Sequence, residues 1–488
     1  MGRLEGALLG ARRFAFTIVV SVAVANVGPV QAETLNEALA QTYQTNPDLA
    51  AARSRLRQVD EQLSKANANW RPTVAATTTA EHLRESSRYP GGRYTDDYPI
   101  GTAEIEVAQP IFSSGRFGAV RGVAQAQIRA ERAMLRQTEQ RVLLDTIKAF
   151  ADVALAERGF DLIRADIAVL NDVLKQTKER LERKRATQTD VDQAQGALDA
   201  ARADCLSKQA KLLQSWRTYQ QLVGTAPNLV TPAQESGVNL CLDAKGERRR
   251  STIVLPEVFP ALPLSIEDVE QTALQEAPEV EFAEAKQEEA DHAVRAAYAD
   301  LLPSAQLTAT LSADRNDTNG PHSRTEDASI AAELRIPVFN GGVEWSSIRT
   351  AREHGGEARL LVDSSRRAAT RNAASAWFEL TSVQAVKMIN KMQVRTQQAA
   401  FEGLKAEIAN PKLNRTTSDL LLQQHATLTA QIALAQSDRD EAVAIYSLLA
   451  ATGRLNASAL DLPVAVYDVD ANLKTQKGRW IGGSIYGE

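Results

Sequence analysis

The chain has 488 residues, a formal net charge of −5 and only 5% aromatic residues. The acidic balance argues against nucleic acid as a partner, because nucleic-acid phosphates select a basic surface. Ala, Gln, Leu, Arg and Glu are abundant, and this mixture favours long helices and coiled coils over a series of ordinary globular domains.

Residues 1–32 are predicted to be a secretory signal peptide. An arginine-containing basic region precedes a mostly apolar segment at Phe14–Val24, and the small residue Ala32 fits a cleavage site. The alternative is an N-terminal membrane anchor, for which the apolar segment is short. The mature chain is expected to begin at Glu33, which is not a cysteine, so bacterial N-terminal lipidation is not expected.

The rest of the chain repeats one pattern twice, with corresponding residues roughly 230 positions apart. Each half is predicted as helix, strand, polar loop, strand, very long helix, turn and long helix. The expected organisation is a first repeat at 33–224, an irregular linker at 225–264, a second repeat at 265–453 and a C-terminal tail at 454–488.

Segments that follow Pro72 and Pro303 alternate between apolar and polar residues, which is the period of a strand with two different faces. Amphipathic strands of about ten residues fit a transmembrane barrel with a wet interior, and the alternative is a half-buried soluble hairpin. Because four strands cannot close a barrel and open edges are not tolerated in lipid, several protomers would have to share one barrel. Strands are predicted at about 72–84, 100–111, 303–313 and 328–338, with polar loops at Ser86–Tyr98 and Asp314–Asp327.

Four charged residues on the returning strands are candidates for the lumen of such a barrel: Glu104, Glu106, Glu333 and Arg335. Acidic side chains in a lumen tune its preference among ions. No ligand pocket is implied by them.

The long helices are predicted at about 115–183, 189–223, 343–409 and 418–452. The longest would span about 100 Å. In the second long helix of each half, apolar residues recur at every seventh position, which favours coiled-coil packing over an amphipathic helix in an ordinary bundle. In the first half these residues are Val191, Leu198, Cys205, Leu212 and Tyr219.

The two cysteines, Cys205 and Cys241, are candidates for a disulfide. An oxidising export compartment permits the bond, and an extended return from the end of the helix is long enough to bring the two residues together. Two free thiols are the alternative.

Motifs for catalysis and for cofactor binding are absent from the sequence. There is no HExxH or CxxC pattern for metal, no GxSxG nucleophile motif, and no glycine loop for phosphate or dinucleotide. We therefore predict no enzyme activity, no cofactor and no metal site.

Short sequences at the junctions between elements carry a family resemblance. QPIFSSG (109–115) and IPVFNGG (336–342) follow the second strand of each half, and TQTDVDQAQGALDAA (187–201) and NRTTSDLLLQQ (414–424) open the second long helices. In this order the chain resembles the TolC family of outer-membrane efflux proteins over about 34–455. The resemblance implies a mostly α-helical homotrimer, with four strands per protomer in a twelve-stranded outer-membrane barrel continued by a periplasmic coiled-coil tunnel.

The resemblance also implies partners and a gate. A periplasmic adaptor (membrane fusion) protein and an inner-membrane RND or ABC transporter would deliver drugs or polypeptides. The gate would lie where the second long helices begin, with Asp190, Arg415 and Asp419 as candidates. This chain departs from the family's pattern there. Leu422 replaces a frequent second Asp, and Lys184 and Leu413 stand near the place of a common glycine.

Two other kinds of protein are alternatives to a channel. A periplasmic adaptor is also long and coiled, but its single hairpin does not repeat in parallel order. A purely structural coiled-coil protein would not need amphipathic strand pairs.

Overall fold

The computed structural model describes residues 33–226, 241, 253–256, 258–316, 323–409, 415–476, 479–480 and 482–483. Three predicted features lie wholly or partly outside the described residues. They are the signal peptide, the linker at 227–240 and 242–252, and Leu413.

One order of elements occurs twice along the chain: two helices, two strands and two long helices. The first half contains α1 (Leu35–Thr45), α2 (Pro47–Ala68), β1 (Thr73–Tyr89), β2 (Gly92–Phe112), α3 (Arg116–Glu182) and α4 (Gln188–Val223). The second half contains α5 (Ile266–Glu276), α6 (Pro278–Ala299), β3 (Ser304–Asn316), β4 (Ser323–Arg335), α7 (Val343–Ala409) and α8 (Thr417–Ala451). A short helix, α9 (Ala471–Gln476), follows in the tail.

The four strands form one antiparallel sheet in the order β1-β2-β3-β4. The prediction of a polar loop at Ser86–Tyr98 is wrong, because Tyr89 pairs with Gly92 and only two residues remain for the turn. Strand pairing also extends β3 and β4 into the predicted second loop. Backbone hydrogen bonds between strands do not depend on the polarity of the side chains. Because neither face of this part of the sheet is buried, polar residues continue the strands, and the change to a polar sequence did not mark the strand ends.

At its other end β4 is shorter than predicted. It stops at Arg335, which pairs with Ser304, the first residue of β3. Pro303 and Pro337 flank this pair, and proline cannot donate to a strand ladder.

The paired helices at the start of each half turn at a proline. Asn46 caps α2 by accepting hydrogen bonds from the backbone N–H groups of Asp48 (2.9 Å) and Leu49 (3.4 Å). Pro47 then occupies the first turn, where its missing N–H costs no helical hydrogen bond. Ala277 has nearly the same backbone angles before Pro278 but supplies no side-chain cap.

The main core lies where α1, α3 and α4 meet, and its largest fully buried side chains include Phe150, Phe160 and Tyr219. The residues at every seventh position of α4 are all buried, in agreement with the predicted coiled-coil spacing. Fully burying each large apolar side chain contributes about 2 kcal/mol.

Helices of the two halves pack against each other, so the halves are not separate domains. Arg129 pairs with Glu288 and Arg136 with Glu281 where α3 runs beside α6. These pairs are half-exposed, and such pairs contribute about 0–1 kcal/mol each, so the apolar contacts between the helices dominate.

A disulfide joins Cys205 on α4 to Cys241, with the two Cα atoms 6.1 Å apart. Cys205 is fully buried, and the Cys241 sulfur also lies 3.7 Å from Oε1 of Gln209. The bond therefore ties the connection between the halves to the helical core.

Removing this disulfide is expected to destabilise the protein. Closing a loop with a sequence separation of 36 lowers the entropy of the unfolded chain, which is worth up to about 4 kcal/mol. Cys241→Ala, which leaves the buried Cys205 thiol as a small apolar group, should lower the thermal unfolding midpoint. Thiol titration of the unreduced wild type is the control, and two titratable thiols would contradict the bond.

Candidate functional site

The strand register collects polar side chains on one face of the sheet. Thr77, Glu104, Ser312 and Asp327 are direct partners across the four strands and form one row. Directly opposed residues of an antiparallel pair project from the same face. Glu106 lies two residues from Glu104 and therefore belongs to the same face.

Glu333 and Arg335 also belong to this polar face. Glu333 opposes Gln306, whose side-chain amide donates to the Glu333 carboxylate over 3.1 Å. Gln306 and Ser312 differ by an even number of positions on β3, so they share a face. The four residues predicted for a barrel lumen thus lie on one side of the sheet.

In the part of the sheet nearest the helices, the opposite face is apolar and open to solvent. Val74 is 69% exposed, Ile105 48%, Leu311 60% and Ile330 78%. A contiguous apolar surface of this kind indicates contact with a membrane or a partner. Among the helices that the structure describes, none has an apolar stretch long enough to span a bilayer.

Both edges of the sheet are open within the described residues, since β1 pairs only with β2 and β4 only with β3. Unpaired backbone groups at an edge are a template for another strand. The sheet formed by the described residues is therefore open at both edges and does not close on itself.

Aromatic side chains cluster where the sheet meets the helices. Trp70 packs edge-on against Phe117 of α3 with ring centroids 4.8 Å apart, and its carbonyl accepts a hydrogen bond from Gln109 of β2. Phe112 and Phe339 are 53% and 81% exposed at the ends of the returning strand segments. Exposed aromatics at this level are typical of the interface region of a membrane barrel.

At the far end of the helices, Asp190 and Asp419 occupy equivalent positions. Each lies in the first turn of its helix and forms a capping box with a threonine, Thr187 or Thr416. Hydrogen bonds from the Thr416 backbone and side chain, with a smaller contribution from the nearby Arg415 charge, hold the pKa of Asp419 below its ordinary value. The local sequence explains this arrangement, because Thr-x-x-Asp satisfies the free N–H groups of a helix start.

Arg415 has a partner that the sequence did not suggest. Its Nε donates to the carboxylate of Glu407 over 2.7 Å, which links the start of α8 back to the end of α7. Lys184, near the expected family glycine, has a φ of 56°, a left-handed conformation that glycine adopts without strain.

A buried hydrogen bond crosses between the halves further along these helices. The side-chain amide of Gln424 on α8 donates to Asp166 on α3 over 2.7 Å, and both residues are buried. Burial raises the pKa of Asp166, while the bond to Gln424 opposes that shift. A cavity of about 470 Å³ lies beside the pair. In the sequence, the feature that points to this contact is Asp166 itself, a charged residue on the apolar side of α3 between Ile163 and Leu170.

The order of elements and the amphipathic sheet indicate a membrane channel protein, and the sequence assigns it to a known family. The chain belongs to the outer membrane efflux protein family, whose model matches residues 38–225 and 269–454. It is 30% identical to the outer membrane efflux protein BepC of Brucella suis over 458 residues, covering 92% of each chain. It is 25% identical to the alkaline protease secretion protein AprF of Pseudomonas aeruginosa over 395 residues, covering 80% of this chain and 76% of AprF.

Solved structures share the fold. The Campylobacter jejuni CmeC outer membrane channel superposes with a TM-score of 0.73 at 14% identity, covering 91% of this chain and 89% of CmeC. The outer membrane protein VceC of Vibrio cholerae gives a TM-score of 0.70 at 18% identity, covering 86% of this chain and 96% of VceC. The chain is thus an outer-membrane efflux or secretion channel with a periplasmic extension, in a family of transport conduits.

Proposed function

We propose that three copies of this chain assemble around one axis and that each contributes β1–β4 to a shared twelve-stranded barrel. The incomplete four-stranded sheet carries this proposal, because its open edges and its exposed apolar face both require further strands in a membrane. The duplicated order of elements within one chain would then give the helical tunnel six similar parts.

An exposed apolar set on α7 supports the assembly. Phe378 is 60% exposed, Ile389 59% and Met392 57%. In a trimer the neighbouring protomer would cover this surface. Chemical cross-linking of the detergent-extracted protein should give a trimer, and reconstitution should give channels. A soluble periplasmic monomer would contradict the proposal.

In this assembly the protein is a passive exit duct. A periplasmic adaptor and an inner-membrane transporter of the RND or ABC type would deliver the cargo. The names of the relatives support both an efflux and a protein-secretion role, since BepC is an efflux protein and AprF serves protease secretion. Deletion of the gene, followed by a drug-sensitivity panel and a comparison of secreted proteins, distinguishes the two cargo classes.

We assign the periplasmic gate to the turns that carry Asp190, Arg415 and Asp419. Both turns have a Thr–Asp capping box, and the turn before α8 is additionally held to α7 by the Arg415–Glu407 ion pair. The two turns therefore differ in the ion pair that holds them to the preceding long helix. A docking partner can break an exposed ion pair at low cost, which suits a closure that must open.

The polar face of the sheet is assigned to the lumen, and its acids are expected to favour cations. Replacing Glu104, Glu106 and Glu333 together by Gln should lower the cation-to-anion permeability ratio of reconstituted channels severalfold, because carboxylates attract cations into a narrow wet pore. Glu326→Gln is the matched control, since Glu326 pairs with Ala313 on the opposite face. An equal loss of selectivity in the control would contradict the assignment.

A further inference from the structure

The C-terminal tail follows one side of α2 towards the sheet. Its contacts fall on Arg53, Asp60 and Ser64, whose spacing places them on one face of α2, and on Arg71 in the turn between α2 and β1. The tail residues advance in the same order, from Tyr467 to Arg479. Because α2 leads into β1, the described part of the tail reaches the junction between the helices and the sheet.

Specific polar contacts hold the tail against α2 and α3. The side-chain amide of Asn472 donates to the buried carboxylate of Asp60 over 2.7 Å. The guanidinium of Arg132 on α3 pairs with Asp470 over 2.5 Å, and Ser64 donates to the Gln476 carbonyl over 3.2 Å. A buried hydrogen bond to a carboxylate contributes more than a neutral one, so these contacts hold the described residues Asp470, Asn472 and Gln476 against α2 and α3.

Near this junction the tail presents the ring of Trp480 beside two arginines, Arg71 and Arg479. Arg71 donates to the carbonyl of Arg479 over 3.1 Å, and its guanidinium lies 4.6 Å from the ring centroid of Trp480. Trp480 is nevertheless 66% exposed, and Trp70, adjacent to Arg71 in the chain, is 52% exposed. Thr73, only two residues after Arg71, begins β1.

We propose that the tail is a membrane contact in its own right, in which Trp480 and the neighbouring arginines bind the phosphate headgroups of phospholipids at the periplasmic surface of the outer membrane. Tryptophan prefers the membrane–water interface because its ring is apolar and its N–H is polar. Guanidinium groups bind phosphate oxygens strongly. Trp480 and these arginines lie beside the first residue of β1, where the proposed barrel would meet the periplasmic surface of the membrane. The inference therefore rests on the proposed barrel.

Quenching of tryptophan fluorescence by brominated lipids tests this contact. The wild type and Trp480→Phe would be compared as full-length channels in nanodiscs of phosphatidylethanolamine and phosphatidylglycerol with brominated chains. The protein has five tryptophans, so the difference between the two proteins reports Trp480. We expect Trp480→Phe to lose part of the quenchable emission, and the loss to be greater with bromine near the headgroup than near the chain end.

Trp216→Phe is the matched control, because Trp216 is only 4% exposed within the helical core. It should lower total emission and leave the quenchable part unchanged. Equal quenchable emission in the wild type and in Trp480→Phe would overturn the lipid contact. This result is expected if a neighbouring protomer, rather than lipid, covers the Trp480 ring. Conductance measured on the same wild-type samples separates the two proposals: conducting channels without Trp480 quenching overturn this inference alone, whereas failure to form channels overturns both.

Discussion

Gly453→Ala is expected to prevent folding of the protein, whereas Gly224→Ala is expected to give a nearly normal channel. Both glycines follow the second long helix of their half and have a positive φ, 82° and 93°. A Cβ at Gly453 would lie 2.2 Å from the backbone oxygen of Glu276, which cannot move without shifting the end of α5. A Cβ at Gly224 would meet only the Thr45 side chain at an ordinary 3.5 Å.

The two substitutions therefore share one cost and differ in another. Placing alanine in the left-handed region costs about 1 kcal/mol in both variants. The backbone clash is added only at Gly453, and it also disturbs the bidentate ion pair between Arg454 and Glu276. The measurement is the amount of protease-resistant protein in the outer membrane. Equal amounts of the two variants would show that the close approach at Glu276 is not required.

Arg415→Ala and Asp419→Ala are expected to raise the single-channel conductance of the reconstituted protein severalfold. Arg415→Ala removes the ion pair that holds the α8 turn to Glu407 on α7. Asp419→Ala removes the N3 half of the capping box, so the backbone N–H of Thr416 loses its carboxylate acceptor. Both changes loosen the turn to which we assign the gate.

Controls separate a gate from a simple helix cap. Thr416→Ala removes the other half of the capping box and keeps the Asp419 charge. If its conductance rises as much as that of Asp419→Ala, loss of the capping box explains the effect and the Asp419 charge has no further part in closing the turn. Unchanged conductance in both Arg415→Ala and Asp419→Ala would remove the assignment of the gate to this turn.

The lowered pKa of Asp419 adds a dependence on pH. Its carboxylate is stabilised in the folded state, so its contribution to the cap is fully present above the ordinary aspartate pKa. This contribution is lost as the pH falls below the ordinary aspartate pKa and through the lowered pKa of Asp419. The wild-type conductance should therefore approach that of Asp419→Ala at acidic pH, and Asp419→Ala itself should change less over the same range.

The positions of the helices were predictable because their signals are local. Proline breaks, Thr-x-x-Asp caps and the seven-residue spacing each depend on residues within one or two turns. The polar face of the strands was also predictable, since alternation along one strand requires no knowledge of its partner. The lengths of β1 and β2 were not, because the ladder that extends them to Tyr89 and Gly92 is formed between strands.

The sequence by itself determined the family, the duplicated order of elements and the residues that face together along each element. Only the tertiary structure decided which elements meet: Arg415 with Glu407, Gln424 with Asp166, and the tail with α2. Local patterns specify which side of a helix or strand is apolar, but an apolar side can pack against many different neighbours. The choice among them depends on packing and hydrogen bonds between residues far apart in the chain, to which no short sequence pattern is sensitive.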